Sequence, residues 1–132
     1  MDSGAIPPLI KLASSCTDTE VKSEACWVVL NATSCGSDSQ IPYLVKEGCI
    51  PIIRDLLHEP SMIMMSLEGL ERILQVGELQ HSLGNINNYA TVINEFDFNF
   101  LRNHKLSSVS RKYVLFIYSL LSHSFIHYVL EA

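Results

Sequence analysis

The chain has 132 residues, of which 48% are hydrophobic and 17% are charged, and its formal net charge is −5. This length favours a single domain, and the apolar content is too high for a disordered chain. The acidic balance argues against general binding to the phosphate backbone of nucleic acids. The first residues lack the basic and apolar regions of a secretory signal, so we expect the cysteines to be reduced and mostly buried.

The sequence repeats itself after 44 residues. The tetrapeptide GAIP at residues 4–7 returns as GCIP at residues 48–51, an offset of 48 − 4 = 44. The same offset relates further pairs without any gap: Leu12 and Leu56, Glu24 and Glu68, Ala25 and Gly69, Val29 and Ile73, and Leu30 and Leu74. HEAT and armadillo repeats have periods of about 40–47 residues.

In the first unit, apolar residues at helical spacing follow the initial glycine and proline and predict a short helix. A polar break at residues 14–19 separates it from a longer helix over residues 20–32. Residues 34–39 (SCGSDS) have the composition of a loop, and residues 40–47 are predicted as a short helix.

The second unit repeats this order, with a break at residues 58–61 and a long helix over residues 62–76. Beyond it, the sequence predicts a loop over 78–88 and a short helix over 89–95. A degenerate helix over 96–104 and a final helix over 109–129 follow. Leu101 and His104 fall at the 44-residue echoes of Leu57 and Pro60, which suggests a decayed third unit.

These patterns predict an all-α fold, an armadillo-repeat right-handed α-solenoid of about two to two and a half repeats plus a terminal helix. The predicted divisions are a first unit at residues 1–46, a second unit at 47–80 and a degenerate C-terminal cap at 81–132. One unit cannot bury its own apolar faces, so the core has to form where neighbouring units stack.

Several stretches of the chain carry a resemblance to a known family. Residues 22–33 (KSEACWVVLNAT) are similar to the pattern K-x-E-A-A-W-x-x-x-N-x-T of importin-α. Residues 67–78 (LEGLERILQVGE) resemble its segment L-E-G-L-E-x-I-L-x-V-G-E, and residues 88–90 with 103–104 resemble its closing segment. Importin-α is the adaptor that binds nuclear localisation signals, so the resemblance implies a binding module without catalysis or cofactor.

The resemblance also implies a site. The matching Trp27 and Asn31 are four residues apart, which places them on one helical face. In the family, this asparagine hydrogen-bonds the peptide backbone, and the tryptophan holds the stem of a lysine or arginine. Glu68 and Glu71 are candidate acids of the same groove. The implied partners are basic signal peptides of cargo proteins and the family's export receptor, in the cytoplasm and nucleus.

The sequence leaves two alternatives open. The second unit has Glu71 and Gln75 at the echoes of Trp27 and Asn31, so the chain could be a degenerate or truncated interaction fragment that binds no signal. Residues 113–130 hold no Asp, Glu, Lys or Arg, which would suit a tail-anchored membrane protein. Catalytic signatures are absent, and His123 and His127 lack a third ligand, so we expect neither an enzyme nor a metal site.

Overall fold

The computed structural model describes residues 4–80, 88–93 and 108–131, and side chains in α7 as far as position 121. These residues form seven α-helices and one 3-10 helix and contain no strand, which confirms the all-α prediction. The elements are, in chain order, α1 (Ile6–Ser15), α2 (Thr19–Cys35), α3 (Gln40–Glu47), α4 (Cys49–Leu56), the 3-10 helix (Pro60–Met62), α5 (Ile63–Gln80), α6 (Asn88–Ile93) and α7 (Ser108–Glu131).

The first long helix is longer at both ends than the predicted range 20–32. It begins at Thr19 because the Asp18 carboxylate accepts hydrogen bonds from the backbone N–H groups of Glu20 (3.0 Å) and Val21 (3.2 Å). It continues into the predicted loop and ends at Cys35. In that last turn, the Ser34 hydroxyl donates to the carbonyl four residues earlier at 2.9 Å, so a residue typical of loops is satisfied within the helix.

A glycine in the left-handed region joins α3 to α4. Gly48 has a φ of 106°, and its N–H closes the last turn of α3 on the carbonyl groups of Leu44 and Val45. A residue with a side chain would be strained at this φ, which explains why the repeated tetrapeptide has glycine at this position. Pro51 then lies in the first turn of α4, where a missing N–H costs nothing.

The C-terminal part departs from the predicted boundaries. Helix α5 runs to Gln80 and not to 76, because Gly77, which is buried near its C-terminal end, costs only about 1 kcal/mol and does not end the helix. The predicted loop over 78–88 therefore starts later, and its residues 81–87 lie outside the described residues. The degenerate helix over 96–104, with the Leu101 and His104 echoes, lies outside them as well. The predicted short and final helices are confirmed as α6 and α7 within two residues at each end.

The core runs through the stacked long helices, where repeat-equivalent residues are buried alike. Val29 and Leu30 of α2 and their equivalents Ile73 and Leu74 of α5 are all fully buried. Helix α5 packs against α2 on one side and against α7 on the other. The three helices begin at residues 19, 63 and 108, which are 44 and 45 residues apart. The divisions of the chain after residues 46 and 80 stay a prediction.

An arginine of the second unit fixes α5 against the first unit. The Arg72 guanidinium donates two hydrogen bonds to the Gly36 carbonyl oxygen, at 3.0 and 3.2 Å, and its Nη2 lies 2.7 Å from a carboxylate oxygen of Asp38. Gly36 is buried, and a Cβ there would come within 2.8 Å of the Ala32 carbonyl oxygen and of a methyl group of Ile41. The loop after α2 is therefore fixed by hydrogen bonds to Arg72 of α5 and by close packing around Gly36.

The four free cysteines do not behave alike. Cys26 and Cys49 are buried as expected, but Cys16 is half-buried and Cys35 is exposed, which corrects the prediction of mostly buried thiols. Cys35 is the last residue of α2, and the turn that follows leaves it facing solvent. Burial raises the pKa of Cys49 to about 12, with hydrogen bonds from its own backbone and from Thr33 acting in the opposite direction, so this thiol stays protonated.

Candidate peptide-binding groove

The long helices α2, α5 and α7 bring repeat-equivalent residues into one row. At the 44-residue offset, Trp27 corresponds to Glu71 and to Leu115. One helical turn later, Asn31 corresponds to Gln75 and to Ser119. None of these six side chains is fully buried, so the row is accessible on the surface of all three helices.

Trp27 and Asn31 occupy neighbouring turns of α2 and differ in burial. The Trp27 ring is half-buried and packs against the core, so its orientation is fixed by the fold. Asn31 is exposed, and its amide makes no hydrogen bond to any residue that the structure describes. The pair therefore combines a fixed aromatic surface with an amide that has a donor and an acceptor to offer.

The equivalent pair on α5 has a different chemistry. The Gln75 side-chain amide donates to a carboxylate oxygen of Glu71 at 3.1 Å, so these two residues hold each other in place. Burial raises the pKa of Glu71, and the neighbouring Glu68 carboxylate raises it further. Glu68 and Glu71 are half-buried and lie one turn apart. Their two carboxylates would stabilise a bound cation and repel a further anion.

Tyr113 of α7 completes this acidic region, and the sequence had not singled it out. Burial raises the pKa of Tyr113, and the carboxylates of Glu68 and Glu71 raise it further, so the phenol lies within electrostatic reach of both acids. Only the packing of α7 on α5 brings these groups together. In the sequence, Tyr113 lies 44 residues after Gly69, which itself lies between Glu68 and Glu71. Because glycine has no side chain, this equivalence gave no indication of a functional residue.

Comparison with known proteins gives a family relationship for this row of helices. The model of the Armadillo/beta-catenin-like repeat matches residues 1–34. Importin subunit alpha-5 of Arabidopsis thaliana is 40% identical over 92 residues, which cover 68% of this chain and 18% of that protein. Importin subunit alpha-1b of Oryza sativa subsp. japonica is 45% identical over 64 residues, 46% of this chain and 12% of its own length. Importin subunit alpha-B of Dictyostelium discoideum is 39% identical over 67 residues, 49% of this chain and 13% of its own length.

The chain carries an armadillo repeat and is partially homologous to importin-α subunits. The predicted resemblance is thereby confirmed. This importin-α-like chain spans less than a fifth of the length of the relatives that it matches. Importin-α proteins are transport adaptors and not enzymes, in agreement with the prediction that the chain is not an enzyme. The roles of Trp27, Asn31, Glu68 and Glu71 stay predictions.

The described residues of this importin-α-like chain contain neither a membrane-spanning helix nor a cluster of metal ligands. In residues 4–80, 88–93 and the described part of α7, no helix combines the length and the apolar character needed to cross a membrane. The same residues contain no group of three or more metal-ligating side chains. The side chains of His123 and His127 lie outside the described residues.

Proposed function

We propose that this chain is a peptide-binding module of the importin-α type, which recognises basic nuclear localisation signals of cargo proteins and acts in the cytoplasm and nucleus. Trp27 and Asn31 are the contacting residues, and Glu68 and Glu71 supply acidic groups for the basic side chains of the signal. The observation that carries this proposal is the exposed amide of Asn31, which bonds none of the described residues and lies one turn from the fixed Trp27 ring.

The arrangement suits an extended basic peptide for three physical reasons. The Asn31 amide can donate to a peptide carbonyl and accept from a peptide N–H. The Trp27 ring offers a surface to the aliphatic stem and the charge of a lysine or arginine, worth about 0.5–2 kcal/mol. The row then continues to Glu71, whose charged form a bound cation would stabilise.

The second unit supports the competing proposal of an interaction chain without signal binding. At the echoes of Trp27 and Asn31, this unit presents Glu71 and Gln75, and these two side chains already bond to each other. One tryptophan–asparagine pair has to overcome the entropic cost of ordering a peptide with few contacts. The two proposals therefore differ in measurable affinity for a signal peptide.

The test is a titration of the purified chain with a labelled bipartite nuclear localisation signal. Trp27 is the single tryptophan of the chain, so its fluorescence reports directly on this site while anisotropy reports on the peptide. We expect saturable binding at low ionic strength, a change in Trp27 emission, and a loss of about tenfold in affinity for Asn31→Ala, the worth of one hydrogen bond. Trp27→Ala should abolish binding by the anisotropy readout.

Val28→Ala is the matched control, because Val28 neighbours Trp27, is 48% exposed and lies outside the row. Its affinity should equal that of the unmodified chain. If a chain that circular dichroism shows to be helical binds no signal, the proposal fails and the interaction chain without signal binding is favoured. Equal losses in Val28→Ala and Asn31→Ala would also contradict it, since they would indicate a general disturbance of α2.

A further inference from the structure

A cavity of about 320 Å³ opens at the junction of the two repeat units, away from the proposed groove. Its walls come from α1 and α2 of the first unit and from α4 and the 3-10 helix of the second. Helix α2 contributes residues 19, 22, 23 and 26. At 100° per residue, this face lies about 110° around the helix from Trp27 and Asn31, so a ligand here would not occupy the groove.

The cavity exists because the first unit has small residues where the second has leucines. Cys26 corresponds to Leu70 at the 44-residue offset, and Ser23 corresponds to Leu67. Both leucines are fully buried, as is Leu57, the equivalent of Ala13. The second unit therefore carries larger, buried side chains at these three positions. The first unit has a small residue at three positions where the second unit has leucine. The space left at these positions is large enough for an aliphatic side chain.

The inner part of the cavity is apolar and offers no free hydrogen-bonding group to a ligand. It is lined by Ala13, Cys26, Ile52, Leu56 and Met62, all of them buried. The one polar atom among these side chains, the Cys26 sulfur, lies 3.5 Å from the Ala13 carbonyl oxygen and donates its hydrogen to it. Small-ligand sites have volumes from about 300 Å³ upward, so the cavity can hold one aliphatic side chain and not a large cofactor.

The rim of the cavity is charged and mostly unpaired. Lys22 stands on the α2 side, and Asp55 and Glu59 stand on the opposite side. Within the described residues, Lys22 and Glu59 form no ion pair, whereas Asp55 contacts Arg54 at 3.3 Å. Two exposed carboxylates on one side favour a basic group there, and the net charge of −5 attracts basic partners to the chain as a whole.

We infer that this cavity is a second peptide-binding site, which takes a leucine-sized aliphatic side chain flanked by a basic residue of a partner protein. The aliphatic group enters between Ala13, Cys26 and Met62. The basic residue meets the carboxylates of Asp55 and Glu59, and Lys22 donates to a backbone carbonyl of the same segment. The site is independent of the proposed groove, so it holds or fails on its own observations.

The test uses nuclear magnetic resonance of the labelled chain with the peptide acetyl-Lys-Leu-Lys-amide as the probe. We expect saturable shifts of backbone amide signals around Ala13, Cys26 and Met62, with the indole N–H of Trp27 unchanged. The peptide with alanine in place of leucine should lose the effect, and the peptide with glutamate in place of both lysines should weaken it. No saturable shift with the leucine peptide, or equal shifts with the alanine peptide, overturns the inference.

Cys26→Leu is the decisive variant, because it places the second unit's residue in the cavity. Affinity should fall by at least about tenfold while the melting temperature is maintained or raised. Glu59→Gln changes an exposed side chain that forms no hydrogen bond or ion pair with the described residues, and it should lower affinity about two- to fivefold, as expected for an exposed ion pair. Unchanged affinity in both variants, or shifts concentrated at Trp27, would assign the binding elsewhere and overturn the inference.

Discussion

In the first repeat unit Leu12 is 42% exposed, whereas its equivalent in the second unit, Leu56, is 7% exposed. The same contrast separates Val28, which is 48% exposed, from its equivalent Arg72, which binds the loop after α2. The second unit packs against α2 on one side and α7 on the other. The described residues place nothing on the outer side of α1 and α2, so an apolar pattern alone does not bury a residue.

The comparison also explains where binding sites are expected. The second unit uses large side chains for packing and pairs Gln75 with Glu71. The first unit keeps small residues around its cavity and leaves the Asn31 amide unpaired among the described residues. In this chain, the positions that contribute least to packing are therefore the positions that can bind a partner.

The largest effect is expected from truncating equivalent leucines of the two units. Leu56→Ala should lower the free energy of unfolding by about 2–4 kcal/mol, because it removes buried methyl groups and leaves a cavity. Leu12→Ala should cost less than about 1 kcal/mol, because that side chain is already partly in water. Denaturant unfolding followed by circular dichroism measures both. Equal losses would mean that the first unit packs as tightly as the second.

A smaller effect is expected from the arginine that joins the units. Arg72→Met keeps the apolar stem but leaves the Gly36 carbonyl without its two donors, and should cost about 1–3 kcal/mol. Asp38→Asn should cost less than about 1 kcal/mol, because that carboxylate is exposed and its ion pair is screened by solvent. The same unfolding experiment checks both. A larger loss from Asp38→Asn would show that the ion pair, and not the carbonyl contact, joins the units.

The smallest effect is expected from Glu71 and depends on pH. The folded pKa of Glu71 is raised, so protonation favours the fold: this contribution is complete below the unfolded pKa and is lost as pH rises through the folded pKa. Glu71→Gln should therefore raise the melting temperature at neutral pH by about 1–3 °C and change little at acidic pH. Thermal melts across the acidic range check the sign.

Glu24→Gln is the matched control for this experiment, because Glu24 is the exposed equivalent of Glu68 on α2. It should leave the pH dependence of the melting temperature unchanged. A melting temperature of Glu71→Gln that falls at neutral pH would contradict the prediction, since it would mean that the charged carboxylate stabilises the fold.

Helices with strong local signals were predictable from the sequence. The 44-residue period located Gly48, a residue type that tolerates the left-handed backbone found there, and the apolar spacing located both long helices. The boundaries were less predictable. Asp18 and Ser34 were assigned to a break and a loop by composition, but each side chain bonds the backbone of α2, one at the start and one in the last turn. Such local hydrogen bonds compete with helix formation in one context and complete it in another.

Only part of the candidate groove could be predicted from the sequence. Trp27 and Asn31 could be paired from their spacing, because residues four positions apart lie on the same face of a helix. The position of Tyr113 beside Glu68 and Glu71 could not, because it depends on how α7 packs against α5. The cavity between the units could not be predicted from the sequence either. It follows from small residues on α1 and α2 that face α4 across a boundary that no local pattern describes.

The sequence by itself determined the all-α fold, the repeat period and the residues of each helix that face inward, because helical spacing and glycine conformation are local properties of the chain. The tertiary structure alone decided which of those inward residues are buried, which acids share a site and where space is left between units. Those outcomes depend on the neighbour that each helix receives. In a solenoid, that neighbour comes from the adjacent unit, so burial at equivalent positions can differ while the pattern stays the same.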